Sequence, residues 1–450
     1  MRGPCQRVAP GPPGHFLLGN LREFRRDVLG LVVESAAKYG DIVRCRLGPQ
    51  VLHLINHPDP IGQILQKRAA NYDKNTRSSA SIRSVTGNSL LTCNGEFWKR
   101  QRRMDQPAFH HRQIAGFADK MTAAATSMLA KWRSGPRTLD ISSEMARLTY
   151  SIVGQTLFSF NTGEDAETVE KSMRVILPHV FGRLGNIINP PSWFPSPANR
   201  RFSRSLAEVD RVVYRIIEQH RKAQANGEPD NDLLAMLMRA RDAETGTGLD
   251  DAQLRNETIT FLLAGHETTA NALTWIFYLI SRNPEVEHRL HEEITAVLGG
   301  RTPALEDVPK LAYTRTVIQE SMRLYPPIWI IERRVIKDDT VGGYTLPAGS
   351  AVVISPYALH RHPEFWKDPG KFDPSRFENG VPEAYIPFGA GPRFCIGNEF
   401  AMLEAQLITA MVLQAFQLRL VPGHPVEPQP DITLRSKHGM KMTIHPRNPS

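Results

Sequence analysis

Cys395 stands in the run Phe388-Gly389-Ala390-Gly391-Pro392-Arg393-Phe394-Cys395-Ile396-Gly397, just ahead of an apolar stretch with helical spacing. A cysteine at a helix start meets unpaired backbone N–H groups and the positive end of the helix dipole. Both favour the thiolate, the form that binds a metal. Gly391 permits a backbone turn that a Cβ would obstruct, and Gly397 leaves room for the following helix to approach a bound group closely. Arg393 offers a permanent planar cation for a carboxylate, and Phe388 packs beside the sulfur to keep it dry. The other cysteines, Cys5, Cys45 and Cys93, read as ordinary free thiols. No Cys-x-x-Cys or Cys-His pairing suggests zinc.

A second run, Ala264-Gly265-His266-Glu267-Thr268-Thr269, lies inside a helical pattern from Asp251 to Ile280. Gly265 lowers helix propensity by ~1 kcal/mol relative to Ala, and Thr268 and Thr269 are β-branched. The spacing therefore predicts a local kink or bulge that holds water, the alternative being an unbroken helix with a threonine hydroxyl bonded back to the preceding turn. His266-Glu267 begins the zinc-protease pattern His-Glu-x-x-His, but Ala270 at the second histidine position excludes it. Trp98 and Arg102, four residues apart, share one helix face and both donate hydrogen bonds. Lys99, Arg100 and Arg103 are expected to face solvent, where the basic stretch from Trp98 to Arg112 steers an acidic protein partner. Glu320 and Arg323 have Glu-x-x-Arg spacing. By itself this means little, because Glu23/Arg26 and Glu144/Arg147 share it as ordinary helical ion pairs.

Taken together and in this order, these segments resemble the cytochrome P-450 family. Its pattern Phe-x-x-Gly-x-Arg-x-Cys-x-Gly is filled at every fixed position by Phe388, Gly391, Arg393, Cys395 and Gly397. The resemblance implies haem b (iron protoporphyrin IX) as cofactor, with Cys395 as the axial metal ligand. Trp98, Arg102, Arg334 and Arg393 are then expected at the propionates. Ala264 and Gly265 belong over the distal face, and Glu267 and Thr268 form the catalytic acid–alcohol pair that serves oxygen protonation. Glu320, Arg323 and Arg376, the last in Phe372-Asp373-Pro374-Ser375-Arg376-Phe377, match a buried structural network.

The implied reaction is a monooxygenation, inserting one atom of O2 into a lipophilic small molecule by hydroxylation or epoxidation. Its electrons are expected from a separate ferredoxin or flavodoxin and its NAD(P)H-dependent reductase, because the chain has neither a dinucleotide fingerprint nor a Gly-Lys-Ser/Thr loop. A peroxide-using or isomerase-type haem-thiolate enzyme and a non-catalytic haem sensor are the rivals. The presence of both Glu267 and Thr268 speaks against the peroxide-using and isomerase types.

The elements that must position these residues read as mainly α with a smaller β-rich lobe, the cytochrome P-450 fold that the resemblance implies. One domain over residues 1–450 is expected, with a Pro/Gly-rich segment at 1–14. Strands are predicted at Asp41 to Leu47 and Val51 to Ile55 around Gly48-Pro49-Gln50, after a helix that stops at Gly40. Helical patterns run from Ala115 to Trp132, Ser142 to Leu157, Ala198 to Gln224, Asp251 to Ile280, Pro284 to Leu298, Lys310 to Leu324 and Ile396 to Phe416. Pro190-Pro191 and Pro195-Ser196-Pro197 mark a loop. Val341 to Ile354 reads as short strands, and His362 to Pro387 as an irregular meander.

The 41% hydrophobic and 22% charged content is that of a globular chain. No apolar run approaches the ~18 residues needed to span a bilayer. Neither a signal peptide nor a stable membrane anchor is expected, and four scattered cysteines suit a reducing, cytoplasmic location. The net charge of +9 comes without a nucleic-acid motif, so no nucleic-acid partner is expected.

Overall fold

The computed structural model describes residues 7–135, 137–159, 164–185, 191, 194–227 and 232–447. Cys5, Pro190 and the first six residues of the Pro/Gly-rich segment lie outside them. Helix α1 (Leu21–Arg26) leads into α2 (Val28–Tyr39), whose first turn is capped by Asp27 accepting from the Gly30 N–H at 2.8 Å. At its end Gly40 adopts φ +93°, which only glycine takes without strain. Strands β1 (Ile42–Leu47) and β2 (Gln50–Ile55) pair with Leu47 opposite Gln50. The hairpin turn is therefore the two residues Gly48-Pro49, with Gly48 at φ +60°.

After α3 (Pro58–Gly62), β3 (Tyr72–Asp73), α4 (Arg77–Thr86), α5 (Gly95–Asp105) and α6 (His111–Ala115), the chain turns at Gly116-Phe117 before α7 (Ala118–Ser134). That turn separates α7 from Ala115, where the helical pattern was read to begin. Next come β4 (Thr138–Asp140), α8 (Ile141–Leu157), α9 (Glu164–Gly185), α10 (Pro197–Ala225) and α11 (Leu233–Arg239). Pro178 sits inside α9 and is a breaker signal against reading that helix from sequence.

The longest helix, α12 (Asp251–Arg282), starts where Asp250 accepts from the Gln253 N–H at 2.8 Å. It packs on α8 so closely that a Cβ at Gly265 would lie 3.0 Å from Val153 Cγ2. Helices α13 (Pro284–Leu298) and α14 (Ala312–Leu324) follow. Then come β5 (Ile331–Val335), β6 (Asp339–Val341), β7 (Tyr344–Leu346), β8 (Ala351–Ile354) and α15 (Pro356–Leu359). Between α15 and α16 (Asn398–Ala415) the described chain forms only two short 3-10 turns, so the meander is irregular as expected. The last strands are β9 (Phe416–Leu420), β10 (Pro428–Pro430), β11 (Leu434–Ser436) and β12 (Lys441–Pro446).

Five strands form one sheet in the order β1-β2-β8-β5-β3, parallel only between β2 and β8. A three-stranded sheet has β12 between β4 and β9, and two hairpins complete the β structure. The largest apolar cluster joins the helices through Met121, Ile152, Val213, Trp275, Ile318 and Leu407. A smaller one backs the five-stranded sheet with Ile55, Val352, Ile354, Trp366 and Phe377. This is the mainly α arrangement with a smaller β-rich lobe, and the space between the helices and that sheet holds the site.

A cavity between a thiol and a helix

The loop before α16 folds back on itself: the Cys395 N–H donates to Phe388 O at 3.0 Å and the Phe394 N–H to Gly391 O at 2.9 Å. Gly391 takes φ +71°, and a Cβ there would lie 1.8 Å from Leu65 O, so only glycine fits. Cys395 faces a cavity of about 940 Å³. It is open to that cavity but deep within the protein, and burial pushes its thiol up. The Gly397 N–H and the Arg102 guanidinium oppose the shift. The expectation of a thiolate favoured by the helix start is thereby corrected, because desolvation outweighs those two groups. A bound metal cation deprotonates a coordinating thiol outright.

Across the cavity, α12 presents Ala264, Gly265, Glu267 and Thr268. The helix stays α through this stretch. The predicted kink is absent: Thr268 Oγ1 instead donates to Ala264 O at 2.7 Å, satisfying within the helix the carbonyl that a kink would free. The Cβ direction of Gly265 points to α8, so its smallness serves helix packing as well as the cavity. Glu267 Oε1 accepts from Thr433 Oγ1 at 2.8 Å, and Thr433 in turn accepts from Asn271 Nδ2 at 3.0 Å. Burial raises the Glu267 carboxyl above its ordinary range, with Thr433 opposing.

One edge of the cavity is basic. The Arg393 guanidinium lies 4.4 Å from the Trp98 ring centroid and donates to Cys93 O at 2.8 Å and Asn94 Oδ1 at 3.1 Å. Its buried Nη1 has no partner. Arg102 donates to Phe394 O at 3.1 Å. Arg333 and Lys74 complete this edge. Burial and the Arg393 charge lower Arg333 to about 10, and burial with Arg333 and Arg393 lowers Lys74 well below its ordinary value. Cations that depress one another around an unpartnered guanidinium N–H suit a ligand with two carboxylates, which relieves the repulsion and the orphaned donor together. Haem propionates meet that description, and the opposite thiol meets the metal, so the residues fit the group the resemblance implies.

Arg334 does not belong to this edge. It pairs outside the cavity with Asp73, at 3.1 and 2.6 Å. Successive residues of a strand point to opposite faces, so within β5 Arg333 turns inward and Arg334 outward. Strand alternation was the signal for Arg333; Lys74 carried none. On the Trp98 helix Lys99 and Arg103 are exposed, as expected, whereas Arg100 is half-buried, which corrects its solvent-facing reading. Arg100 bonds Thr247 Oγ1 and Gly248 O, and Arg103 pairs with Asp242 and Glu244 at 3.2 Å each, while Lys99 pairs with Glu96. Two of the cations assigned to partner steering are thus bridged to the 242–248 loop.

Glu320, Arg323 and Arg376 meet away from the cavity. Arg323 makes five hydrogen bonds, to both Glu320 oxygens at 2.6 and 2.8 Å and to the carbonyls of His360, Pro369 and Lys371. Arg376 Nε lies 3.4 Å from Glu320 Oε1.

A second buried acid cluster escaped the sequence reading. Asp105 on α5 and Glu257 on α12 are both fully buried. Gln101 Nε2 donates to Asp105 Oδ1 at 2.9 Å, the Leu90 N–H donates to Glu257 Oε1 at 2.9 Å, and Asp105 Oδ2 has no partner. Burial pushes Asp105 up to about 8, against Gln101 and Arg102, and burial together with Asp105 raises Glu257 well above its ordinary value. A carboxyl raised in the fold binds a proton that the unfolded chain releases above about 4. Its stabilisation is therefore complete below that pH and is lost as pH rises toward 8. Asp105→Asn keeps the oxygen that Gln101 uses and removes the charge. Its thermal midpoint should match the parent near pH 4 and exceed it at pH 8, on the order of a few kcal/mol in stability. Parallel midpoint-versus-pH curves for the two proteins would reject this.

Comparison with known proteins places these features in context. A family model described as Cytochrome P450 matches residues 9–443. Cyclooctat-9-en-7-ol 5-monooxygenase of Streptomyces melanosporofaciens is 39% identical over 418 residues, covering 90% of this chain and 88% of the relative. Cyclooctatin synthase of the same organism is 36% identical over 449 residues, covering 98% and 95%. Pentalenene oxygenase of Streptomyces avermitilis is 33% identical over 451 residues, covering 98% of each chain.

Proposed function

Because the chain belongs to the cytochrome P450 family, and is thereby a haem-thiolate monooxygenase of lipophilic small molecules, we propose that its cofactor is haem b and that Cys395 is the iron ligand. The observation that carries this assignment is one cavity holding the Cys395 thiol on one side, the Thr268 hydroxyl on the other and a cationic edge between them. When bound, haem supplies the iron that activates O2 with electrons from a redox partner. Arg393, Arg102, Arg333, Lys74 and Trp98 hold its acid groups. Phe388 shields the sulfur from water.

Glu267 and Thr268 manage protons. Glu267 accepts from Thr433 at Oε1, and burial raises its carboxyl above the ordinary range, so Oε2 is the oxygen at which it takes up and passes on a proton. Thr268 Oγ1 spends its own proton on Ala264 O and keeps lone pairs that accept a proton donor in the cavity. Thr268→Ala should leave cofactor content and substrate binding nearly unchanged while diverting reducing equivalents from product to hydrogen peroxide; Glu267→Gln should slow O2 consumption. Product, peroxide and NAD(P)H are measured in one reaction with a surrogate reductase. Full product yield per NAD(P)H in Thr268→Ala would remove the hydroxyl from the mechanism. NAD(P)H and O2 consumption also separates a monooxygenase from the peroxide-using, isomerase and sensor alternatives.

The distal wall is apolar, built around Ile82, Val85, Phe109, Ile176, Phe261 and Ile328. With relatives named for oxygenating an alkene alcohol and an alkene, this supports a largely hydrocarbon substrate with few polar groups, held by burial. Electrons come from a ferredoxin or flavodoxin and its NAD(P)H-dependent reductase. No described helix is long and apolar enough to cross a membrane, and a cytoplasmic site of action fits a chain with free, buried Cys45 and Cys93.

A further inference from the structure

Glu267 lies on α12, but the group that holds its carboxyl comes from near the far end of the chain. Thr433 stands 166 residues later, in the turn between β10 and β11, and is buried. That turn is fastened at both ends. The Trp329 indole donates to Asp431 O at 2.8 Å, and the Trp275 indole donates to Leu434 O at 2.9 Å. The Leu434 N–H donates to Pro327 O at 2.9 Å, and the Asp431 N–H donates to Thr433 O at 3.1 Å. Trp275 belongs to α12 itself, about two helical turns after Glu267, and stacks on Tyr325 with ring centroids 4.0 Å apart. The Thr433 hydroxyl is therefore carried by backbone that cannot shift without breaking buried hydrogen bonds on two sides.

Donor and acceptor chemistry fixes which way that hydroxyl points. Asn271 Nδ2 can only donate, so at 3.0 Å it occupies a lone pair of Thr433 Oγ1. The single hydroxyl proton is left for Glu267 Oε1, at 2.8 Å. An oxygen that receives this bond acts as the carbonyl of a protonated carboxyl, and Oε2 carries the acid proton. Burial raises this carboxyl, and the Thr433 bond opposes burial more than Arg435 does. The charged groups that bear on it, Asp431 and Arg435, pair with each other at 2.5 Å, so their opposed effects largely cancel.

We propose that Thr433 is the positioning residue for proton transfer by Glu267: with Asn271 behind it, it locks the carboxyl by Oε1, so that Oε2 alone exchanges protons with the cavity. In each cycle a proton leaves Oε2 for an acceptor in the cavity and another is taken up there from water, so the carboxyl ends as it began. The proposal rests on the reading of Glu267 as the proton-handling acid. Thr433 touches none of the reacting atoms; it acts through Glu267, and the turn that carries it sets the direction of transfer.

The cofactor-loaded full chain is compared as parent, Thr433→Val, Thr433→Ser and Glu267→Gln. In infrared spectra taken across pH, the carbonyl band of the protonated Glu267 carboxyl is the one that Glu267→Gln lacks. Thr433→Val should move that band to higher frequency, because its oxygen loses a hydrogen bond, and should keep it to higher pH. The sign follows from the donor: Thr433 favours the charged carboxylate, so its removal leaves burial less opposed. With substrate and a surrogate reductase, Thr433→Val should lower kcat for O2 consumption about tenfold and leave KM little changed, since orientation supplies part of a general acid's effect. Thr433→Ser keeps the hydroxyl and should restore the parent band and most of the rate. In a Glu267→Gln background, Thr433→Val should slow turnover no further. An unshifted band in Thr433→Val would overturn the proposal, as would equal slowing in both backgrounds, which would make Thr433 a packing residue. So would a Thr433→Ser variant as slow as Thr433→Val. The infrared comparison needs no turnover: if Glu267→Gln consumed O2 like the parent, the acid reading would fall, and the band would still decide whether Thr433 holds the carboxyl. Asn271 Nδ2 loses its acceptor in Thr433→Val; should that variant fail to take up cofactor, Thr433→Ala leaves room for a water there and gives the same test.

Discussion

Cys395→Ser should abolish the red-shifted Soret band that a thiolate-ligated ferrous haem shows with carbon monoxide, and should lower turnover by more than about 100-fold. Losing a partner outside the metal's ligand shell already costs about 10–100-fold, so the ligand itself should exceed that range. A serine alcohol is a far weaker acid than a thiol and presents no soft anion to the iron. Cys45→Ser and Cys93→Ser should keep the band. Burial pushes those thiols up to about 11 and about 12, which keeps them protonated, and neither lines the cavity. An unchanged band in Cys395→Ser would end the assignment and with it the haem-thiolate mechanism for this site.

Arg323→Ala should unfold the sheet side of the molecule or cost about 3–5 kcal/mol in denaturant stability, the toll of leaving a buried charge without its partner. Glu320 would keep only the Asp373 N–H at 2.8 Å and the Arg376 contact, and three carbonyls that Arg323 serves would lose their donor. Arg323→Lys should recover little, since an ammonium cannot supply five donors in a planar fork. Equilibrium unfolding monitored by tryptophan fluorescence is informative, because Trp366 lies 5.0 Å from this guanidinium. A loss within experimental error of zero would show that the network is dispensable. Replacing both residues with apolar ones of similar size should cost less than removing either, because no charge is then stranded.

Both changes fall on residues that short spacing along the chain brings together. Cys395, Arg393 and Phe388 lie within eight residues of one another, and Glu320 and Arg323 lie one helical turn apart. Residue type and short spacing are local properties that a chain carries before it folds. The same holds for the Ala264 to Thr268 run and for Trp98 and Arg102. Of the residues assigned to cofactor or catalysis from the sequence, all but Arg334 line the cavity. Most helices were likewise legible, because an apolar face repeats every three to four residues.

Only the tertiary structure decided the remainder, and the reason is distance along the chain. The inward turn of Arg333 and the outward turn of Arg334 depend on which face of β5 meets β8 and the cavity, a matter of sheet register. Lys74 reaches the same edge from a segment more than 250 residues earlier. Asp105 and Glu257 are unremarkable acids until α5 and α12 pack and water is excluded from both. Cys395 shows the same division: its neighbours in sequence predicted a thiol made more acidic, but burial, a property of the folded surroundings, pushed it the other way. Local spacing determined which groups could do the chemistry; desolvation and packing, which exist only in the assembled molecule, decided which way those groups face and which protons they hold.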